Sequence, residues 1–196
     1  MGDDLLSLTE GAAAGDAAAV EALLERFLPD VRAFVRLRAG PLLRARESHS
    51  DLVQSICREV LAHREQFRYP SETAFKQWLF TTALRKLQHR REYYLAQKRA
   101  VGAEVSPRGA GAEAGLFERY RSFSTPSQHA SVKEQVERVE AAFDRLNEEQ
   151  REVITLAHVV GLSRGEIAER MGRSEGSVRV LLYRSLARLS GLLGGQ

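Results

Sequence analysis

Residues 147–193, NEEQREVITLAHVVGLSRGEIAERMGRSEGSVRVLLYRSLARLSGLL, admit very few backbone paths. Asn147 followed by Gln150, and Ser163 followed by Glu166, are two capping boxes, each marking a helix start. Ser174 caps a third helix whose first turn holds Glu175. Gly161 ends the first of these helices and Gly172 supplies a tight turn between the second and third. Ser163 to Met171 and Ser174 to Leu189 therefore form a helix-turn-helix. Ile167, Ala168, Met171, Val178, Leu182 and Leu186 fall on facing apolar stripes and make its core.

What lies off those stripes carries the chemistry. Ser177, Val180, Arg184 and Arg188 occupy the outer face of the last helix, the face that would enter a DNA major groove. Arg173, Arg179, Arg184 and Arg188 are placed to grip phosphates or a guanine edge, and the helix N-terminus at Ser174 can itself donate to a phosphate. The alternative is a three-helix bundle with a basic surface.

Upstream, helical periodicity runs from about Asp16 to Arg99, and no alternating strand pattern of useful length occurs, so the expected fold is all-α. DAAAVEALLERFLPDVRAFVRLRAG reads as a helix that Pro29 kinks or divides and that ends near Gly40 and Pro41. SHSDLVQSICREVL, residues 48–61, is an amphipathic helix with a buried stripe of Leu52, Val53, Ile56, Cys57, Val60 and Leu61. After a turn at Tyr69, Pro70 and Ser71, a long helix begins at about Ser71 or Glu72 and runs through FKQWLFTTALRKLQHRREYYLAQK. Within it, Arg85, Lys86, Arg90, Arg91, Lys98 and Arg99 stand against Glu92 alone, 6 − 1 = +5 over residues 85–99. Cations interleaved with Tyr93 and Tyr94 suit a surface that tracks a nucleic-acid backbone and stacks on bases; cations complementing a helix C-terminus are the other reading.

Residues 99–130 form a linker rich in Gly, Ala, Ser and Pro that separates the two helical blocks. Leu116, Phe117, Tyr120 and Phe123 make either a short docking element within it or a few stray aromatics on an inert tether. The whole is therefore read as residues 1–15, an N-terminal extension; 16–98, a first helical domain; the linker; and 131–196, a second helical domain.

Composition excludes several classes. The 196 residues are 43% hydrophobic and 28% charged, the balance of a soluble globular protein. No run approaches a membrane span and MGDDLLSLTE is acidic where a secretory signal is basic, so a cytoplasmic location is expected. The single cysteine, Cys57, excludes an intramolecular disulfide and a cysteine-cluster metal site. His49, His63, His89, His129 and His158 show no metal spacing, and there is no glycine-rich phosphate loop or plausible catalytic triad. No enzyme activity, metal or cofactor is expected.

In this order and spacing, the two blocks resemble a bacterial RNA polymerase sigma factor of the extracytoplasmic-function (ECF) class, in the sigma-70 family. Residues 141–193 are similar to the reader of the promoter −35 element. DLVQSICREVL resembles the helix that docks on the polymerase clamp, and FKQWLFTTALRKLQHRR the helix that opens and reads the −10 element. The resemblance implies two helical domains, sigma regions 2 and 4, on a flexible tether. It implies docking on core polymerase, at the β′ clamp helices and β flap, through Asp51, Leu52, Gln54 and Ser55. It implies −10 contacts from Tyr69, Arg85, Lys86, Arg90 and Arg91, and −35 contacts from Arg173, Ser174, Ser177, Arg179, Val180, Arg184 and Arg188. Trp78 is either a core anchor or a stacking residue. An independent helix-turn-helix regulator that dimerises on a palindromic operator is the rival function.

Two departures from the family pattern matter. Val180 and Leu181 stand where members usually have a small polar residue followed by arginine, which implies an altered −35 preference. Similar factors also carry an acidic run where this chain has Ser48, His49, Ser50 and Asp51, and a further glutamate at Ser55. A phosphate supplies about −1.5 to −2 charge, so phosphorylation of Ser50 or Ser55, or secondarily Ser48, by a serine/threonine kinase would restore it. The alternatives are that Ser48 simply caps the helix in a polymerase that has changed to match, or that an accessory protein supplies the charge. An anti-sigma factor clasping both domains is a further expected partner.

Overall fold

The computed structural model describes residues 2–100 and 130–194, and side chains over 4–96 and 135–194. Among the described residues all regular structure is helical. The candidate docking residues Leu116, Phe117, Tyr120 and Phe123 lie outside them.

The first domain is built on α2 (Ala17–Arg44), against which α1 (Gly2–Ala13), α3 (His49–Ala62) and α4 (Glu72–Ala100) all pack. Helix α1 was not expected. Its sequence holds Gly2 and Gly11, which weaken a purely local reading, but tertiary contact fixes it: Ala12 and Thr9 are buried, and a Cβ at Gly11 would stand 3.0 Å from that of Ala19. Asp16 then caps α2 by accepting from the Ala18 N–H at 2.9 Å.

Pro29 does not divide α2. The break is at Gly40, with φ 69° and ψ 170°, and Pro41 starts one further turn. Proline costs one backbone hydrogen bond, which the burial of Phe27, Val31, Phe34 and Val35 on either side of Pro29 offsets, whereas a left-handed Gly40 ends the ladder outright. Phe27, Phe67, Phe75 and Trp78 form an aromatic cluster with ring centroids 5.3–5.9 Å apart, so Trp78 is a half-buried core anchor rather than a free stacking platform.

The second domain comprises α5 (Ala130–Asp144), α6 (Glu148–Thr155), α7 (Arg164–Met171) and α8 (Glu175–Gly194). Both expected capping boxes are formed, and Gly161 and Gly172 are left-handed at φ 77° and 62°. One feature had no local signal: α6 continues as a π-helical turn over Leu156–Val160. This turn packs on α2 and α4, and the buried apolar side chains of both domains form one continuous cluster. Polar contacts also cross between the domains. Arg38 pairs with Glu148, Arg44 pairs with Asp144, and Arg170 Nη1 donates to Thr81 Oγ1 at 2.8 Å.

Candidate functional site

Three surfaces gather the residues singled out above. The first is the polar face of α3. Ser48 is the helix cap: its Oγ accepts from the Asp51 N–H at 3.1 Å and donates to Asp51 Oδ2 at 2.7 Å. Asp51, Ser50 and Gln54 are exposed. Leu52 and Ser55 require correction as surface residues. Leu52 is fully buried and Ser55 is only 9% exposed, because both lie on the side of α3 turned into the bundle. Ser55 sits one turn before Glu59, which reaches across to α4 and accepts from Lys86 Nζ at 2.6 Å.

Ser50 and Gln54 line a groove of about 630 Å³ between α2 and α3, floored by Leu28, Val53, Cys57 and Leu61 and rimmed by Arg32, Arg36 and Arg58. The groove is basic as well as short of acid. His49 at its end is held neutral by burial, with Arg36 and Arg44 pushing the same way, to a pKa of about 4. Burial also raises the Cys57 thiol, which packs on the core as a small hydrophobe and is not a reactive thiolate.

The second surface is α4 with the loop before it. Tyr69 is 77% exposed beside buried Phe67, so the backbone of the loop is anchored while its tyrosine is presented to solvent. Ser71 Oγ caps α4 by accepting from the Ala74 N–H. Of the four cations expected to face nucleic acid, Arg85 and Arg91 are exposed. Lys86 and Arg90 are not free in the same sense. Lys86 is bonded to Glu59, whose carboxyl its hydrogen bond holds below the usual range, and Arg90 lies 3.5 Å from Glu47. Tyr94 is half-buried beneath Arg46, while Tyr93 remains exposed. These pairings had no sequence signal because the partners lie on α3 and in the α2–α3 connection.

The third surface is the outer face of α8. Ser174 accepts from the Ser177 N–H at 3.2 Å and caps the helix. Arg179, Arg184 and Arg188 are exposed, Val180 is 43% exposed, and Leu181 packs against the core. Arg173 is tied to Glu149 of α6. Sequence reasoning missed Tyr183, which is 74% exposed on the same face.

Comparison with known proteins decides the family. The sequence matches Sigma-70 region 2 over residues 23–97 and Sigma-70, region 4 over residues 136–189. The chain belongs to the sigma-70 family, in its ECF group. It is 32% identical over 191 residues to the ECF RNA polymerase sigma factor SigD of Mycobacterium tuberculosis, covering 96% of this chain and 84% of that protein. It is 28% identical over 187 residues to the ECF sigma factor ShbA of Streptomyces griseus, covering 95% and 93%. CnrH, solved in complex with the cytosolic domain of CnrY, shares the fold with a TM-score of 0.61 at 22% identity, over 98% of this chain and 99% of that one. No described helix is long and apolar enough to cross a membrane.

Proposed function

We propose that this ECF sigma factor docks on core RNA polymerase through the exposed face of α3, with Asp51 and Gln54 as its contacts. The loop around Tyr69 and the cations Arg85 and Arg91 hold the melted −10 strand, and α8 reads the −35 element. The observation that carries this reading is the pairing, in one chain of the family, of a capped helix-turn-helix whose outer face is basic with a helix bundle that presents an exposed tyrosine in the loop before α4 and exposed arginines along α4. Transcription from a promoter requiring both this chain and core polymerase tests it. DNA binding to a palindrome without polymerase would support the independent regulator instead.

The same reading includes control at Ser50. Ser55 is set aside because it is buried, and Ser48 because its hydroxyl is already bonded to Asp51. Ser50 is exposed in the first turn of α3, where a phosphate is favoured by the helix N-terminus and adds acid to the docking face. A protein partner seated on the α2–α3 groove is the other form of control that the basic rim favours, and CnrH was solved in complex with a protein partner, the cytosolic domain of CnrY. Core binding by the unmodified protein and by Ser50→Glu separates the two: full affinity in the unmodified protein ends the phosphorylation reading.

A further inference from the structure

The groove between α2 and α3 is graded from one end to the other. Leu28, Arg32 and Arg36 line it at every fourth residue of α2, and Leu61, Cys57 and Val53 at every fourth residue of α3, so each helix turns one stripe into it. The charge of Arg36 acts on His49 and that of Arg32 on Cys57. The two helices therefore run antiparallel along the groove, which sets Leu28 and Leu61 at one end and Arg36, His49 and Ser50 at the other. One end is apolar; the other is cationic and offers hydrogen bonds. Among the described residues no carboxylate lines the groove. Its volume of about 630 Å³ falls within the range of small-molecule sites, about 300–1,000 Å³.

We propose that this groove binds a single-chain amphiphile with an anionic head, a medium-chain acyl carboxylate, with the head between Arg36 and Ser50 and the tail along Cys57 towards Leu28 and Leu61. The orientation follows from the grading. A carboxylate at the Arg36 end meets a guanidinium, the Ser50 hydroxyl and the first turn of α3, whose helix dipole favours an anion. Arg58, exposed on the rim, adds to the positive potential. Leu28, Cys57 and Leu61 are only half-buried, so a chain lying on them removes further apolar surface from water. From Leu28 to Arg36 the groove runs about 12 Å at 1.5 Å per residue, a length that an extended chain of about ten carbons spans. A cationic or uncharged ligand leaves the arginines unmatched, and an inorganic anion leaves the apolar floor wet. Because Ser50 and Gln54 belong to the docking face as well as to the groove, a bound acyl chain blocks polymerase; this consequence, unlike the binding itself, rests on the proposed function.

Cys57 is the only cysteine and forms part of the floor, so its rate of alkylation in the full chain reports occupancy directly. Decanoate is titrated below its micelle concentration, with helical circular dichroism as the check that the fold is kept. Saturable slowing of alkylation is expected. Butyrate and inorganic phosphate, which lack the tail, and decyltrimethylammonium, which reverses the head, should need roughly tenfold or higher concentrations. Arg36→Gln should weaken decanoate about tenfold through loss of a charge-assisted hydrogen bond, and Arg58→Gln, on the exposed rim, about twofold. Core polymerase should be displaced over the same range of decanoate. No protection by decanoate, or equal protection by decyltrimethylammonium, would overturn the inference and leave polymerase docking standing. Protection only by an amphipathic peptide of Glu and Leu would overturn it too and give the groove to a protein partner. Saturable decanoate binding that leaves core association unchanged would support the site and overturn α3 as the docking face. The ligand comparisons use unaltered protein, so they decide the matter even where a variant folds poorly.

Discussion

Replacing Asp144 with asparagine perturbs the contact between the two domains at its most buried charge. The Asp144 side chain is 2% exposed and the Arg44 side chain 20%. Removing one partner of a buried pair costs about 3–5 kcal/mol, because the other charge is left desolvated. Three features lower that figure here. An asparagine oxygen still accepts from the guanidinium, and Glu140 Oε2 remains 4.0 Å from Arg44 Nε. The Asp144 carboxyl is also raised above its usual range, chiefly by desolvation against the opposing pull of Arg44, so much of the attraction is already offset. We therefore expect a loss of about 2 kcal/mol, a roughly thirtyfold shift away from the closed arrangement.

The consequence is functional because the closed form brings regions 2 and 4 into direct contact, whereas promoter elements centred near −35 and −10 lie about 85 Å apart at roughly 3.4 Å per base pair. On the proposed function, engagement of both elements requires the contact to open. Its polar part is incompletely satisfied: Arg38 Nη1, Asp144 Oδ1 and Arg151 Nε are buried without hydrogen-bond partners. Such an interface separates more readily than a fully paired one. Small-angle scattering of the full chain reads the result. A compact chain of this length has a radius of gyration of about 16 Å, and Asp144→Asn should exceed the wild-type value at the same ionic strength with unchanged helical circular dichroism. Identical scattering from the two proteins would refute the assignment of the Arg44–Asp144 pair as a determinant of closure.

Other outcomes follow from single positions. His49 has a folded pKa of about 4 against an ordinary 6.5, so protonation favours the unfolded chain; its stability contribution is full above pH 6.5 and is lost as pH falls toward 4, and His49→Gln should flatten that part of a urea-denaturation pH profile. Gly172→Ala forces a side chain into the left-handed turn at φ 62° and should cost about 1–2 kcal/mol in thermal unfolding. Ser163→Ala removes a capping-box acceptor and should cost about 1 kcal/mol by the same measurement. In strand-opening assays, Arg85→Ala should impair melting more than Lys86→Ala, because the Lys86 ammonium is already bonded to Glu59.

Legibility in the sequence tracked the range of the interaction that fixes each feature. Caps and glycine turns are decided within three or four residues, and the starts of α6, α7 and α8 were all readable from Asn147, Ser163, Ser174, Gly161 and Gly172. Helix α1 was not readable, since its apolar face is specified by α2 and a close approach at Gly11. The continuity of α2 through Pro29 has the same cause, burial on both sides outweighing a local breaker. The π turn at Leu156–Val160 fits the packing of one domain against the other and has no residue signature of its own. Charge was the least legible property, because a count of cations on α4 cannot show that Lys86 and Arg90 face Glu59 and Glu47, which stand 27 and 43 residues away in sequence.

That lesson bears most on α3. Counting residues gives a docking helix with one acid left, Asp51, and three serines beside the vacant positions. The structure changes the value of each. One oxygen of Asp51 accepts from Ser48, Ser55 lies inside the bundle, and Ser50 is exposed at the mouth of a groove rimmed by Arg32, Arg36 and Arg58. A phosphate at Ser50 then has two fates, only one of which changes the docking face. Turned outward it adds acid for the polymerase; turned into the groove it is neutralised by the arginine rim and adds none. Arg36→Ala distinguishes them when combined with Ser50→Glu: a rise in core binding over Ser50→Glu alone means that the rim competes for the anion, and no change means that the charge already faces outward. Either result is read by the same binding titration, with Arg36→Ala alone as the control for loss of groove repulsion.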